Sequence, residues 1–324
     1  MRVVLAVALV ISGCTQAFDA GSSRPRGRLP VDGRNPMVLV NDGFVDNWQG
    51  EYAVLLANDG GPKLAGIVVN TNKDWPDLAA NVVGWRKLVS AARASGLQDI
   101  PDPIASVGSP LVRPANGDID ATEANRSEGA GFIVDASKRL ALPYRPLVVV
   151  TGGTLTDVAD AYLIDRTVVE RVVVVSSLGL PTASGGSMGV PNGDADPWAD
   201  TIVASRFRYI QVSAFYEQKL DVPEARFAEL PDNALGARIA AKQAGLFSWP
   251  PASDQVGVVA VGVPGFVTAV VNVTPGARTT GGATAGPDLT TDPAGSAWLV
   301  TECDGAAATA RFWDLLLALR TAAP

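Results

Sequence analysis

The chain has 324 residues, 47% of them hydrophobic, which is enough to bury one large core and makes a single α/β domain the first expectation. A formal charge of −7, with no run of Lys or Arg, excludes a protein that tracks a phosphate backbone, so no nucleic-acid partner is expected. Histidine is absent, which removes His-based triads and His metal sites from consideration.

Met1-Arg2 is a short basic start, residues 3–11 form an apolar run too short to span a bilayer, and Ser12-Gly13-Cys14 follows. This pattern reads as an export signal. Ile11-Ser12-Gly13-Cys14 resembles the bacterial lipobox, which implies a lipoprotein signal peptide over residues 1–14, with Cys14 lipidated and left as the mature N-terminus, and a lipid-anchored protein of the bacterial cell envelope (periplasmic or extracellular face). An ordinary secretory signal with an incidental Cys is the alternative. Residues 15–35, rich in Gly, Ser, Pro and Arg, are expected to be a flexible tether, and 36–322 the folded domain. Cys303, in an apolar run, then has no disulfide partner and is expected to be a buried, inert thiol.

From residue 37 onward apolar runs alternate with helical patterns. Strands are expected over 37–40, 64–69, 104–107, 147–150, 172–175 and 209–212, and helices over 47–58, 76–95, 131–142, 155–163 and 197–205. Strands separated by helices indicate βαβ units and a doubly wound, mainly parallel sheet, and continuously apolar strands indicate helices on both faces. Residues 223–245 read as helical, and an apolar helix follows Asp254. Segments 266–273, 277–280 and 297–303 read as strands, and 306–319 as an amphipathic closing helix.

Four polar segments interrupt these elements. In Met37–Tyr52 an apolar strand stops at Asn41-Asp42-Gly43, and Asp46 and Asn47 follow before a helix. Open α/β sheets bind ligands beyond the carboxyl ends of their strands, and a hard cation such as Ca2+ favours a cluster of oxygen ligands. The alternative is an Asp that only caps the next helix. Thr151-Gly152-Gly153-Thr154 is a Gly-rich turn leading from a strand into a helix, suited to exposing backbone groups to a ligand or simply to turning tightly. Asn192, in Pro191-Asn192-Gly193-Asp194-Ala195-Asp196-Pro197, could face a polyol or stand in a solvated loop. Asp254 is placed to cap a helix.

Taken in order, these segments resemble the inosine-uridine nucleoside hydrolase family, across almost the whole mature chain. The family's D-x-D-x-G-x-D-D loop is matched by Val40-Asn41-Asp42-Gly43-Phe44-Val45-Asp46-Asn47, with Asp42 and Asp46 on metal-binding Asp positions and Asn47 where the last Asp stands. Asn72 is similar to the Asn ending the second strand, Asn81 to that of the next helix, and Ser109–Arg113 to the stretch after the third strand. Val150–Ala159 resembles the Thr-Gly-(Gly/Pro)-Leu-Thr-Asn turn, where the Thr151 position offers its backbone carbonyl to the metal. Asn192 and Asp196-Pro197 resemble the ribose-binding loop, with Val190 in place of its Glu. Asp254 matches the late metal-binding Asp, preceded by Ser253 where the family often has His, and Arg311–Asp314 opens a closing helix like the family's.

The resemblance implies a nucleoside hydrolase-like fold and a hydrolase that cleaves the N-glycosidic bond of ribonucleosides or related N-ribosides. It implies calcium held by Asp42, Asp46, Asn47, the Thr151 carbonyl and Asp254, Asp42 or its neighbour on the metal as the catalytic base, and Asn72 and Asn192 as sugar ligands. The departures at Asn47, Val190 and Ser253 keep open a catalytically weak lipoprotein that binds a nucleoside, a sugar or a surface partner. A homo-oligomer is also left open.

Overall fold

The computed structural model describes residues 29–43, 48–73, 75–106, 109–177, 191–212, 224–245, 255–276 and 288–319. In chain order these form β1 (Met37–Asn41), α1 (Gln49–Asn58), β2 (Leu64–Val69), α2 (Leu78–Ala94), β3 (Pro103–Ala105), α3 (Glu128–Leu140), β4 (Leu147–Thr151), α4 (Thr156–Ile164) and β5 (Val172–Ser177). Then come α5 (Pro191–Ala195), α6 (Pro197–Arg206), β6 (Arg208–Val212), α7 (Ala234–Gly245), α8 (Gln255–Gly262), β7 (Val267–Gly276), β8 (Asp288–Thr291), β9 (Ala297–Cys303) and α9 (Gly305–Ala318).

The strands make one sheet in the order β3-β2-β1-β4-β5-β6-β9-β7-β8. Pairing is parallel from β3 through to β9, and β7 runs antiparallel to both β9 and β8. The winding proceeds outward from β1 to β3 on one side and from β4 to β6 on the other, so the direction reverses between β1 and β4. That junction is the topological switch point, where an open parallel sheet leaves a crevice at its carboxyl edge.

The apolar runs explain why both faces are covered. Met37 and Leu39 join a core with residues of α1, α2, α7, α8 and α9, while Val38 and Val40 enter a second core with α3, α4 and α6. Consecutive residues of a strand point to opposite faces, so a continuously apolar strand demands two helical layers. Among the described residues five α-helices start on a side-chain cap: Asp77 accepts from Ala80 N, Ser127 from Ala130 N, Asp196 from Ala199 N, Asn233 from Gly236 N and Asp304 from Ala307 N.

Three expectations change. The helical stretch 223–245 is broken: a 3₁₀ turn covers Glu224–Glu229, and α7 starts only after Pro231, with Asn233 Oδ1 accepting from Gly236 N at 2.9 Å. Strand β8 has no apolar run of its own and is set by pairing with β7. The tether stops short of residue 35: Leu29 and Val31 are buried in the core, and Asn35 Nδ2 donates to Pro146 O at 2.8 Å. The lipobox-like segment with Cys14 and the strand expected over 277–280 lie outside the described residues. Among the described residues no helix is long and apolar enough to cross a membrane. Cys303 is a buried free thiol, as expected, and burial pushes its pKa up to about 11.

Helices α1 and α2 touch at Gly50, where a Cβ would lie 2.5 Å from Leu88 Cδ2 and 2.6 Å from the Trp85 ring. Gly50→Val is expected to separate the helices and cost about 1–3 kcal/mol. Urea unfolding checks this: the midpoint should fall with an unchanged slope.

Candidate active site

The carboxyl edge at the switch point is built by extending the backbone ladder one residue past the strands. Asn70 N donates to Asn41 O and Gly152 N to Val40 O, each at 2.9 Å. The pairing of Asn41 with Val69 and of Val40 with Thr151 therefore places Asn70, Asp42 and Gly153 in one row across β2, β1 and β4. Gly153 is required there. A Cβ on it would sit 2.5 Å from Asn70 Oδ1 and 3.0 Å from Asp42 N.

Asp42 is buried, with 3% of its surface exposed. Its Oδ1 accepts from Gly43 N at 2.6 Å, and its carbonyl accepts from Trp85 Nε1 at 3.2 Å. Asp42 does not cap the following helix: the N-cap of α1 is Trp48, which makes no side-chain cap bond. A neighbouring polar contact, Asn41 Nδ2 to Gln49 Oε1 at 2.6 Å, fixes the start of α1 beneath this edge.

Asn72 and Asn192 are brought together although 120 residues apart: Asn72 Nδ2 donates to Asn192 Oδ1 at 2.9 Å. Asn192 Nδ2 in turn donates to Gly152 O at 3.1 Å and Ser177 O at 3.0 Å, bridging the ends of β4 and β5. Asn72 Oδ1 accepts from Trp75 N at 2.7 Å, and Asn81 Nδ2 bonds the carbonyls of Asn70 and Trp75 at 3.1 and 3.0 Å. Thr151 is fully buried at the end of β4, and its Oγ1 has no hydrogen-bond partner among the described residues. Asp42, Asn72, Thr151 and Asn192 thus share one edge. Asp46, Asn47 and Asp254 lie outside the described residues.

Beneath this row is a buried polar cluster that the sequence reading missed. Asp157, at the start of α4, accepts from Asn70 Nδ2 at 3.1 Å, from Ser127 Oγ at 2.9 Å and from Ser106 Oγ. The two hydroxyls already accept the backbone N–H groups of Ala130 and Gly129, so each has its proton left to give Asp157. Burial pushes the Asp157 pKa up, against the pull of the hydroxyls and the amide. One signal was legible: Asp157 and Asp160 are acids three residues apart in the otherwise mainly apolar helix TDVADAYLI. Asp160 accepts the N–H groups of Arg126 and Ser127 at 3.1 and 2.8 Å.

Asp196 is equally internal. It accepts from Leu111 N at 3.0 Å, Thr156 Oγ1 at 2.7 Å and Ala199 N at 3.0 Å, joining the segment after β3 to α4 and α6. A cavity of about 510 Å³ lies at the opposite, amino edge, against Leu29, Val31, Arg34, Tyr144 and Arg145, and belongs to none of this chemistry. Among the described residues no group of three or more Asp, Glu or Cys side chains is placed to hold a metal ion.

No family model and no curated protein matches this chain. Solved structures do. A purine-preferring ribonucleoside hydrolase from Gardnerella vaginalis is 15% identical with a TM-score of 0.58, covering 88% of this chain and 100% of that one. A plant nucleoside hydrolase is 14% identical with a TM-score of 0.60, covering 89% and 99%. An inosine-guanosine nucleoside hydrolase is 16% identical with a TM-score of 0.61, also covering 89% and 99%. The fold is therefore nucleoside hydrolase-like: one α/β domain with a mainly parallel sheet between helical layers.

Burial raises the Asp196 pKa, outweighing the lowering effect of its backbone and hydroxyl donors. The folded state then holds this proton more tightly than the unfolded chain, whose Asp titrates near 3.9. Stability linked to Asp196 is fully present below that value and is lost as pH rises through the raised pKa. Asp196→Asn has no such proton, so the Tm gap between wild type and variant should be wider near pH 4 than near pH 7. Thermal unfolding at both pH values checks this.

Proposed function

We propose that this protein hydrolyses the N-glycosidic bond of ribonucleosides or related N-ribosides. The observation that carries the reading is the meeting of Asp42, Asn72, Thr151 and Asn192 at the switch point of a nucleoside hydrolase-like sheet. Asp42 is a buried carboxylate at the crevice, suited to take the proton of a water attacking C1′ while the leaving base departs through an oxocarbenium-like state. Asn72 and Asn192 present amide groups to the sugar, already held in place by each other and by the backbone.

The donor set at this edge is oxygen only, from a carboxylate, amides, a hydroxyl and backbone carbonyls, which fits a hard cation and excludes a soft one. In this reading calcium is held by Asp42, Asp46, Asn47, the Thr151 carbonyl and Asp254. When bound it lowers the pKa of a water and gathers hydroxyls. Attachment through a lipid on Cys14 is part of the same proposal. Cys14→Ser is expected to move the protein from the membrane fraction to the soluble one, and an unchanged distribution removes the anchor.

The test is release of free ribose from a panel of nucleosides in calcium, beside calorimetry with calcium alone. Asp42→Asn should lower kcat by about 10²–10⁴-fold, the range expected for loss of a general base. A second reading, a binding protein without turnover, is favoured by Asn47, Val190 and Ser253 standing where the resembled family carries Asp, Glu and His. Calcium binding with no ribose released from any nucleoside selects it.

A further inference from the structure

The sequence holds no run of Lys or Arg, but the fold lines cations up along the edge opposite the crevice. Five neighbouring strands, β2, β1, β4, β5 and β6, each begin within three residues of one: Lys63, Arg34, Arg145, Arg171 and Arg208. Strands lie about 4.8 Å apart, so the row runs across roughly 19 Å. It ends at β3, which follows Asp102, an acid paired with Arg93 at 2.8 Å. Within the row Asp32 accepts from Arg34 Nε at 3.1 Å, and Asp165 faces Arg171 at 3.1 Å and Lys138 at 2.9 Å. Glu170 adds one acid beside Arg171. The side chains of Lys63, Arg139 and Arg145 enter no hydrogen bond or ion pair among the described residues, so these acids leave them uncancelled.

In the middle of the row the chain between α3 and β4 makes a tight turn. Leu142 N donates to Arg145 O and Arg145 N to Leu142 O, each at 2.9 Å. The turn holds out Leu142, 45% exposed, and Tyr144, 74% exposed, with Arg139 before it and Arg145 closing it. An aromatic ring with a polar tip beside guanidinium groups suits the boundary between lipid headgroups and acyl chains. The cavity of about 510 Å³ has Arg34, Tyr144 and Arg145 in its wall, which leaves room for a headgroup beside the cations. Leu29 lines the same cavity, and Arg24, Arg26 and Arg28 come just before it in the sequence.

We infer that this edge is a membrane-docking surface, which takes the phosphates of anionic phospholipids among its cations and sets Tyr144 and Leu142 into the interface. The inference deepens the reading of the chain as attached through Cys14 and rests on it. Residues 15–28 alone separate Cys14 from Leu29, a reach of at most about 50 Å, so the edge stays close to the bilayer that holds the lipid. Charge selects the partner. The chain carries −7 overall, so an anionic bilayer repels most of its surface and attracts this edge. One acyl chain holds a protein only marginally, and a cationic patch supplies the second attachment.

Sedimentation with vesicles tests this on the mature chain, residues 14–324, carrying Cys14→Ser so that no lipid contributes. Vesicles of phosphatidylcholine alone should leave it in solution. Vesicles that include phosphatidylglycerol should carry it down, and less of it as salt rises. Arg139→Gln and Arg145→Gln should each weaken this partition about fivefold, the effect of one cation near an anionic surface. Tyr144→Ala should weaken it as well. Lys73→Gln removes an exposed cation at the carboxyl edge and should leave the partition unchanged.

No sedimentation with phosphatidylglycerol overturns the inference, and so does equal sedimentation with both kinds of vesicle or an equal loss in Lys73→Gln. Arg139→Gln and Arg145→Gln both without effect overturn it too, by giving the binding to the arginines before Leu29. Should Arg145→Gln or Tyr144→Ala not fold, Arg139→Gln, at the exposed end of α3, decides with the same outcomes. The anchor can fail separately. In cells, Cys14→Ser that leaves the membrane fraction while vesicles bind nothing keeps the anchor and overturns the surface. Cys14→Ser that stays with membranes until salt releases it removes the anchor and supports the surface.

Discussion

The backbone hydrogen bonds on either side of the end of β1 determine most of what this molecule can do. Asn70 N reaches Asn41 O from one neighbour, and Gly152 N reaches Val40 O from the other. Without them the carboxyl edge would fray where the sheet reverses its winding, and Asp42 would hang from a loose loop. With them, the Asp is carried on a strand fixed on both sides, and the two flanking turns have to supply small or polar residues. Gly153 and Asn70 answer that demand.

Much of the architecture was readable in the order of residues because it depends on local pattern. Val172-Val173-Val174-Val175 and Leu147-Val148-Val149-Val150 are apolar on both faces, and only a parallel strand between two helical layers accommodates that. The bounds of β2 and β9 matched expectation to the residue for the same reason. What could not be read depends on distant partners. Strand β8 exists because β7 lies beside it, and Leu29 is buried because it joins a core assembled from residues distant in sequence. The helical pattern over 223–245 was read through Pro231, whose ring ends one element and precedes another.

The candidate site divides in the same way. Asp42, Thr151, Asn72 and Asn192 were visible as polar residues that interrupt apolar runs, and the fold gathers them at one edge. Asp157 and Asn70 were not singled out as site residues, and Asp196 was matched to the ribose-binding loop without its partners being foreseen, because each resembles a cap or a turn residue until those partners are known. Asp157 meets Ser106 and Ser127, 51 and 30 residues away, and Asp196 meets Leu111, 85 residues away. A carboxylate sunk among apolar side chains is costly unless donors surround it, and no local pattern announces the donors. The polar layer under the crevice is thus a property of the tertiary structure. Solved structures share this fold at 14–16% identity, so the fold itself tolerates great divergence in sequence.

The burial of Leu29, Val31 and Asn35 fixes where the polypeptide joins the folded body: at the amino ends of β1 and β4, beside Pro146. The crevice lies at the other ends of the same strands, a strand of five residues away, or roughly 17 Å. Within the described residues, entry into the fold and the candidate site therefore lie at opposite edges of one sheet, so the packing that holds residues 29–35 and the packing that shapes the crevice can change independently.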